Sequence, residues 1–166
     1  EDIRADASVA IAALRHAGTS VQLLSGDGAR AVERVAAAVG IQQATGSCSP
    51  DGKLERLRTL QKNGHRVAMV GDGLNDGPVL AAAHASFAFG LAVPLAQAKS
   101  DFVVLGDQLQ RVPQTLLLAR KSLRIVRQNL GWAAAYNIIC VPLALAGLLP
   151  AWLAGLGMAL SSLLVV

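Results

Sequence analysis

Gly71-Asp72-Gly73-Leu74-Asn75-Asp76-Gly77-Pro78 is the stretch that decides the fold. It follows the short apolar run Val67-Ala68-Met69-Val70, which reads as a buried strand. Three glycines and a proline in eight residues stop helix or strand and force a tight loop. Asp72 and Asp76 put two carboxylates on that loop, with the Asn75 amide beside them. Carboxylates crowded at a strand end repel one another unless a cation lies between them. Hard oxygen donors of this kind suit Mg²⁺. A polar turn whose Asp and Asn cap a helix uses the same residues, so the loop alone leaves both readings open.

Working outward, the chain alternates strand and helix. Ala5 to Ala17 has helical apolar spacing and ends at Gly18. Val21 to Leu24 reads as a strand, Ala29 to Val39 as a helix stopped by Gly40, and Pro50 to Asn63 as a helix before Gly64. After the strand at 67–70, Pro78 to His84 opens a helix with proline in its first turn. Ala85–Phe89 and Phe102–Leu105 are further short strands. This alternation predicts an α/β fold with a parallel sheet covered on both faces. Functional residues of such sheets gather at the C-terminal ends of the strands. Ser25 and Asp27 follow one strand and Asp72 to Asp76 another, so the two loops are expected to face one site.

Charge divides the chain. All 15 Lys and Arg and all 11 Asp and Glu lie between Glu1 and Arg127, and residues 128–166 carry no charge. The net charge of +4 therefore belongs to the first part. Arg120, Lys121, Arg124 and Arg127 stand just before the apolar part, where basic residues mark the cytoplasmic side and meet anionic headgroups. No aromatic residues are interleaved with them, which argues against nucleic acid as a partner. Gln108 to Arg127 reads as an amphipathic connecting helix. Asn129 to Leu149 is then uncharged for about 32 Å of helix, matching a bilayer core of about 30 Å. Pro150 marks a turn, and residues 151–166 begin a second apolar helix. Cys48 and Cys140 stand far apart, without disulfide or zinc spacing. The chain begins with Glu and stops inside an apolar run, so it reads as the C-terminal portion of a longer protein.

The sequence GDGLNDGP resembles the GDGxNDxP hinge motif of P-type ATPases. Leu24-Ser25-Gly26-Asp27 is similar to that family's (T/S)GD motif, and Pro50-Asp51-Gly52-Lys53 to its P-x-x-K motif. Glu1 to Arg4 is similar to its D-x-x-R segment, with Glu in place of Asp. Order and spacing agree over essentially the whole chain. The resemblance implies a partial haloacid-dehalogenase-like, Rossmann-type parallel sheet followed by an α-helical transmembrane hairpin. It places the phosphorylation domain at residues 1–107, a connecting helix at 108–128, and the hairpin, its second helix truncated, at 129–166.

The resemblance also implies roles. Asp72 would coordinate Mg²⁺ directly, with Asp76 and Asn75 supporting it. Lys53 would neutralise charge on the transferring phosphoryl group. Ser25 would donate to a phosphate oxygen, Gly26 would let the backbone approach, and Asp27 belongs to the same loop. Phosphoryl transfer needs positioning and charge stabilisation of this sort. Taken singly, Lys53 reads as a surface helix residue, Ser25 as a turn hydroxyl and Asp27 as a helix cap. An aspartyl-phosphate enzyme also needs a nucleophilic Asp. The family carries it in a DKTGT motif that does not occur here, and the nucleotide-binding domain is missing too. The fragment alone is therefore expected neither to hydrolyse ATP nor to form a phosphoenzyme.

Tyr136-Asn137 and Met158-Ala159-Leu160-Ser161-Ser162 resemble the YN and MxxSS motifs of copper-transporting P-type ATPases. Polar groups in hydrocarbon cost free energy unless paired or bound to something. Hydroxyls there also bond their own backbone or a neighbouring helix, and methionine also serves packing. Met158 and Ser162 are four apart and share a helical face, and a thioether suits Cu(I). Tyr136, Asn137, Met158 and Ser162 are thus the expected contacts of the transported metal. Zinc and cadmium relatives carry a Lys and an Asp in these helices, and this chain has neither. The expectation is ATP-driven transport of a soft monovalent cation, Cu(I) ahead of Ag(I), through an aspartyl-phosphate intermediate in a multi-pass membrane protein with a cytoplasmic soluble domain. Mg²⁺ and ATP would act as cofactors. Partners would be the upstream domains, membrane lipid and a cytosolic metallochaperone. The alternative is a phosphohydrolase of the haloacid dehalogenase superfamily tethered to the membrane by a hairpin.

Overall fold

A computed structural model describes residues 3–71, 76–89, 94–148, 150, 152, 155–157 and 159. The chain divides into two compact units, residues 1–116 and 117–166.

The first unit opens with α1 (Ala7–His16), which buries Ala7, Ala10 and Ile11. That spacing is the core-facing stripe of a helix. β1 (Gln22–Leu24) follows, then α2 (Ala29–Val39), which buries Val32, Ala36 and Val39. Gly40 ends α2 with φ 79°, a left-handed turn that favours glycine. β2 (Gln43–Thr45) runs parallel to β1, with Leu23 opposite Ala44. The sequence reading missed β2, because Gln-Ala-Thr lacks the apolar character that marks a buried strand, and its two outer residues are exposed.

α3 (Pro50–Lys62), β3 (Ala68–Val70), α4 (Gly77–Ala82), β4 (Ala85–Phe89), α5 (Pro94–Ala98) and β5 (Phe102–Val104) complete the alternation. β3, β4 and β5 form a second parallel sheet in that order. The parallel α/β architecture is as expected, but the described ladder is two sheets rather than one. β1 pairs only with β2, and β3 only with β4, among the described residues. Phe87, Phe89, Val104 and Val112 form one buried cluster, flanked by Leu109 and Leu116. Ala7, Ile11 and Val39 form another, flanked by Val21, Ile41 and Leu109. α5 was not anticipated.

α6 (Arg111–Leu145) is one helix of 35 residues, about 52 Å long. The expected connecting helix and the expected first membrane helix are therefore continuous. α6 stops at Leu145, and Gly147 turns the chain at φ 73°, ahead of the turn expected at Pro150. No helix among the described residues is long and apolar enough to cross a membrane. α6 is charged up to Arg127, and Gln128, Asn129, Tyr136 and Asn137 dilute what remains.

In the second unit, Leu130, Trp132, Ile138, Ile139, Val141, Leu143 and Leu145 of α6 are exposed. Residues 155–157 are also helical.

Candidate phosphoryl-transfer site

The turn after β1 is closed by its own side chains. Ser25 Oγ donates to Asp27 Oδ2 at 2.9 Å and accepts from the Asp27 backbone N at 3.2 Å. Ser25, Gly26 and Asp27 thus form one compact polar turn at the C-terminal end of β1.

A second loop backs it. Ser25 N donates to Thr45 O at 3.0 Å, Ser47 N to Asp27 O, and Cys48 N to Ser25 O at 2.9 Å. Gly46 sits where the loops touch, and a Cβ there would fall 2.5 Å from Ala29 Cα. Ser47 follows at a positive φ of 50°. Gly46, Ser47 and Cys48 thus shape the site, and the sequence reading did not single them out. Their role arises from backbone contacts between segments some twenty residues apart, which leave no pattern of residue types.

This loop delivers α3. Ser49 caps the helix, its Oγ accepting from Gly52 N at 3.1 Å, with Pro50 in the first turn. Ser-Pro ahead of a helical pattern was the legible sign of that cap. One turn on, Lys53 Nζ donates to Asp76 Oδ1 at 2.8 Å. The Lys53 and Asp76 side chains are only 14% and 12% exposed. A pair this shielded from water feels a lower dielectric than a surface pair. Gly71 lies against the other side of Asp76, since a Cβ there would be 3.1 Å from Asp76 Oδ2. The β1 turn, the 46–49 loop, α3 and the residue ahead of α4 therefore form one chain of contacts. The structure joins Ser25 with Asp27, and Lys53 with Asp76.

Asp72 and Asn75 lie outside the described residues. Among the described residues no group of three His, Cys, Asp or Glu side chains gathers to hold a metal. Asp76 gives one oxygen to Lys53, so its carboxylate fits a supporting position beside a cation better than a direct one. The donor set as a whole, carboxylate and amide oxygens, fits Mg²⁺.

In the second unit, Tyr136 and Asn137 lie one after the other on α6. Cys140 is a near neighbour of the Tyr136 phenol. The phenol also packs on Gly157, where a Cβ would fall 3.0 Å from Tyr136 Oη. Met158 and Ser162 lie outside the described residues.

Residues 1–84 match the family model of haloacid dehalogenase-like hydrolases. The chain is 43% identical over 166 residues to cation-transporting P-type ATPase B of Mycobacterium bovis, covering all of this chain and 22% of that relative. It is 42% identical over 164 residues to a copper-exporting P-type ATPase of Mycobacterium tuberculosis, covering 99% of this chain and 22% of the relative. Among solved structures, a zinc-transporting PIB-type ATPase in its E2.Pi state superposes on 99% of this chain with a TM-score of 0.91. The sequence identity there is 31%, over 27% of that chain. The present chain thus spans about a fifth of the length of the curated relatives it matches.

Proposed function

We infer function from a family premise: this chain belongs to the haloacid dehalogenase-like hydrolase family. We propose that it is part of a P-type ATPase that moves Cu(I) across a membrane. The observation that carries the proposal is the Lys53–Asp76 pair. It ties the P-x-x-K helix to the GDGLNDGP loop, in the same unit as the Ser25–Asp27 turn. The pair joins two of the segments that resemble the family's phosphoryl-transfer motifs, and this supports reading the three as parts of one site.

In this reading residues 1–107 are the phosphorylation domain, 108–128 a connecting element and 129–166 a membrane hairpin. The domain faces the cytoplasm. Asp72 would hold Mg²⁺, with Asp76 and Asn75 in support, and the ion would supply positive charge against the phosphate oxygens. Lys53 presents its ammonium toward the same charge, held in place by Asp76. Ser25 and the backbone at Gly26 donate to phosphate oxygens. ATP and the phosphorylated Asp come from the upstream part of the protein. The exposed apolar residues of α6 from Leu130 onward support the hairpin, because a contiguous apolar surface calls for a lipid or protein cover.

The choice of metal rests on Tyr136, Asn137, Met158 and Ser162 and on the lack of charge after Arg127. A cytosolic carrier would deliver Cu(I), since the free ion is scarce where thiols abound. The structural neighbour with a TM-score of 0.91 is a zinc-transporting ATPase, so the metal is the point to test.

The test is ATP hydrolysis by the full-length protein in liposomes, stimulated by Cu(I) or by Zn²⁺. Copper stimulation that is lost in Asn137→Ala supports the proposal. Stimulation by zinc alone overturns the metal assignment. Hydrolysis of phosphate monoesters with no metal stimulation favours the membrane-tethered phosphohydrolase.

A further inference from the structure

Arg4 takes no part in the chemistry above, yet it joins parts of the chain 103 residues apart. Its guanidinium lies over the Phe89 ring, 3.9 Å from the centroid. Nη1 donates to the Asp107 backbone O at 3.1 Å and pairs with the Asp107 carboxylate. Two residues on, Asp6 Oδ2 accepts from Gln110 N at 2.9 Å, immediately ahead of α6. From the apolar side, Val112 and Leu116 in the first turns of α6 pack with Phe87, Phe89 and Val104. The root of α6 is thereby gripped by the segment that enters the domain and by the C-terminal end of β4.

We propose that Arg4 is a positioning residue for coupling: it clamps the Asp107 loop, and with it the root of α6, onto the end of β4. The proposal rests on the transport reading above. An exposed ion pair by itself contributes little. Here the planar guanidinium reaches two acceptors on one residue while its face lies on a buried ring, and so fixes an orientation. Lysine has no flat face to lie on the ring. β4 pairs with β3, whose end leads into the GDGLNDGP loop. A displacement of β3 at its Val70–Gly71 end, beside Asp76, is carried through the β3–β4 pairing to Phe89, and Arg4 passes it to Asp107. With the clamp removed, the phosphorylation chemistry survives and its delivery to α6 does not.

The test uses the full-length protein in liposomes, with Arg4→Ala, Arg4→Lys, Asp107→Ala and the Arg4→Ala/Asp107→Ala pair. Phosphoenzyme from labelled ATP and metal uptake are measured side by side. We expect phosphoenzyme within about twofold of wild type while metal uptake falls roughly three- to tenfold. The paired variant should be no worse than either single one, and Arg4→Lys should lie between wild type and Arg4→Ala. If Arg4→Ala does not fold, Asp107→Asn carries the same expectation with the shape retained. Equal loss of phosphoenzyme and uptake overturns the clamp, as does full uptake in every variant or an additive pair. A wild-type protein that forms no phosphoenzyme and moves no metal overturns the transport reading as well, which separates the two failures.

Discussion

Lys53 Nζ sits 2.8 Å from Asp76 Oδ1, an ion pair largely withdrawn from water that joins the start of α3 to the start of α4. Taking one partner from such a pair strands a charge where solvent cannot reach it. Lys53→Met should therefore destabilise the first unit by about 3–5 kcal/mol. Lys53→Met with Asp76→Leu should recover much of that stability and still form no phosphoenzyme in the full-length protein. Urea unfolding and phosphorylation assays on the same variants check this. A double variant that regains phosphorylation removes both residues from the chemistry.

Ser49 bears on Lys53 indirectly, through the cap of α3. Ser49→Ala frees the Gly52 N–H and should cost about 1 kcal/mol. Ser49→Asp restores an acceptor beside a helix N-terminus and should bring stability back to within a few tenths of a kcal/mol. Thermal melts of the three proteins decide the point. Unchanged melting in Ser49→Ala would remove the cap from the account.

Ser25 separates chemistry from folding. Ser25 is half-buried and its hydroxyl bonds within its own turn, so Ser25→Ala should change stability by about 1 kcal/mol or less. Loss of a donor aimed at a phosphate oxygen should slow phosphoenzyme turnover by at least about tenfold. Ser25→Thr keeps the hydroxyl and should turn over near the wild-type rate. The check is single-turnover decay of labelled phosphoenzyme.

Ser86 is fully buried and holds Asp101 on both sides. Its Oγ donates to Asp101 Oδ2 at 2.9 Å and accepts from Asp101 N at 3.0 Å. Ser86→Ala leaves that N–H without its acceptor and should cost about 1–3 kcal/mol. Ser86→Thr overfills a position already packed and should not rescue it. Chemical denaturation measures both.

The helices were the legible part of this fold. α2 has buried apolar residues at helical spacing and glycine at its end, and the sequence bounds match the structural ones. β4 was equally clear, because Ala85–Phe89 is apolar apart from Ser86 and buried through most of its length. β2 was not, because Gln43-Ala44-Thr45 is held by its pairing with β1 rather than by its own composition. The unbroken α6 was also hidden. The change from charged to uncharged residues at Arg127 marks a change of surroundings, while the backbone has no glycine or proline there to end the helix. At the site, local motifs proposed Ser25, Asp27, Lys53 and Asp76 one by one, and the structure supplies which meets which. The Arg4–Asp107 contact had no trace in the sequence, because nothing in residue order relates the two ends of a domain.

The ladder gaps in the first unit have a practical side. β1 and β3 each carry one flank of backbone N–H and C=O groups that no described strand occupies, and Val70 on β3 is 37% exposed. Such flanks recruit strands from other molecules. A recombinant preparation of these residues alone should self-associate as concentration rises, and light scattering would register it before any loss of helix signal. A solubilising partner for crystallography or screening is then best chosen to cover that flank, since a tag placed elsewhere leaves it bare.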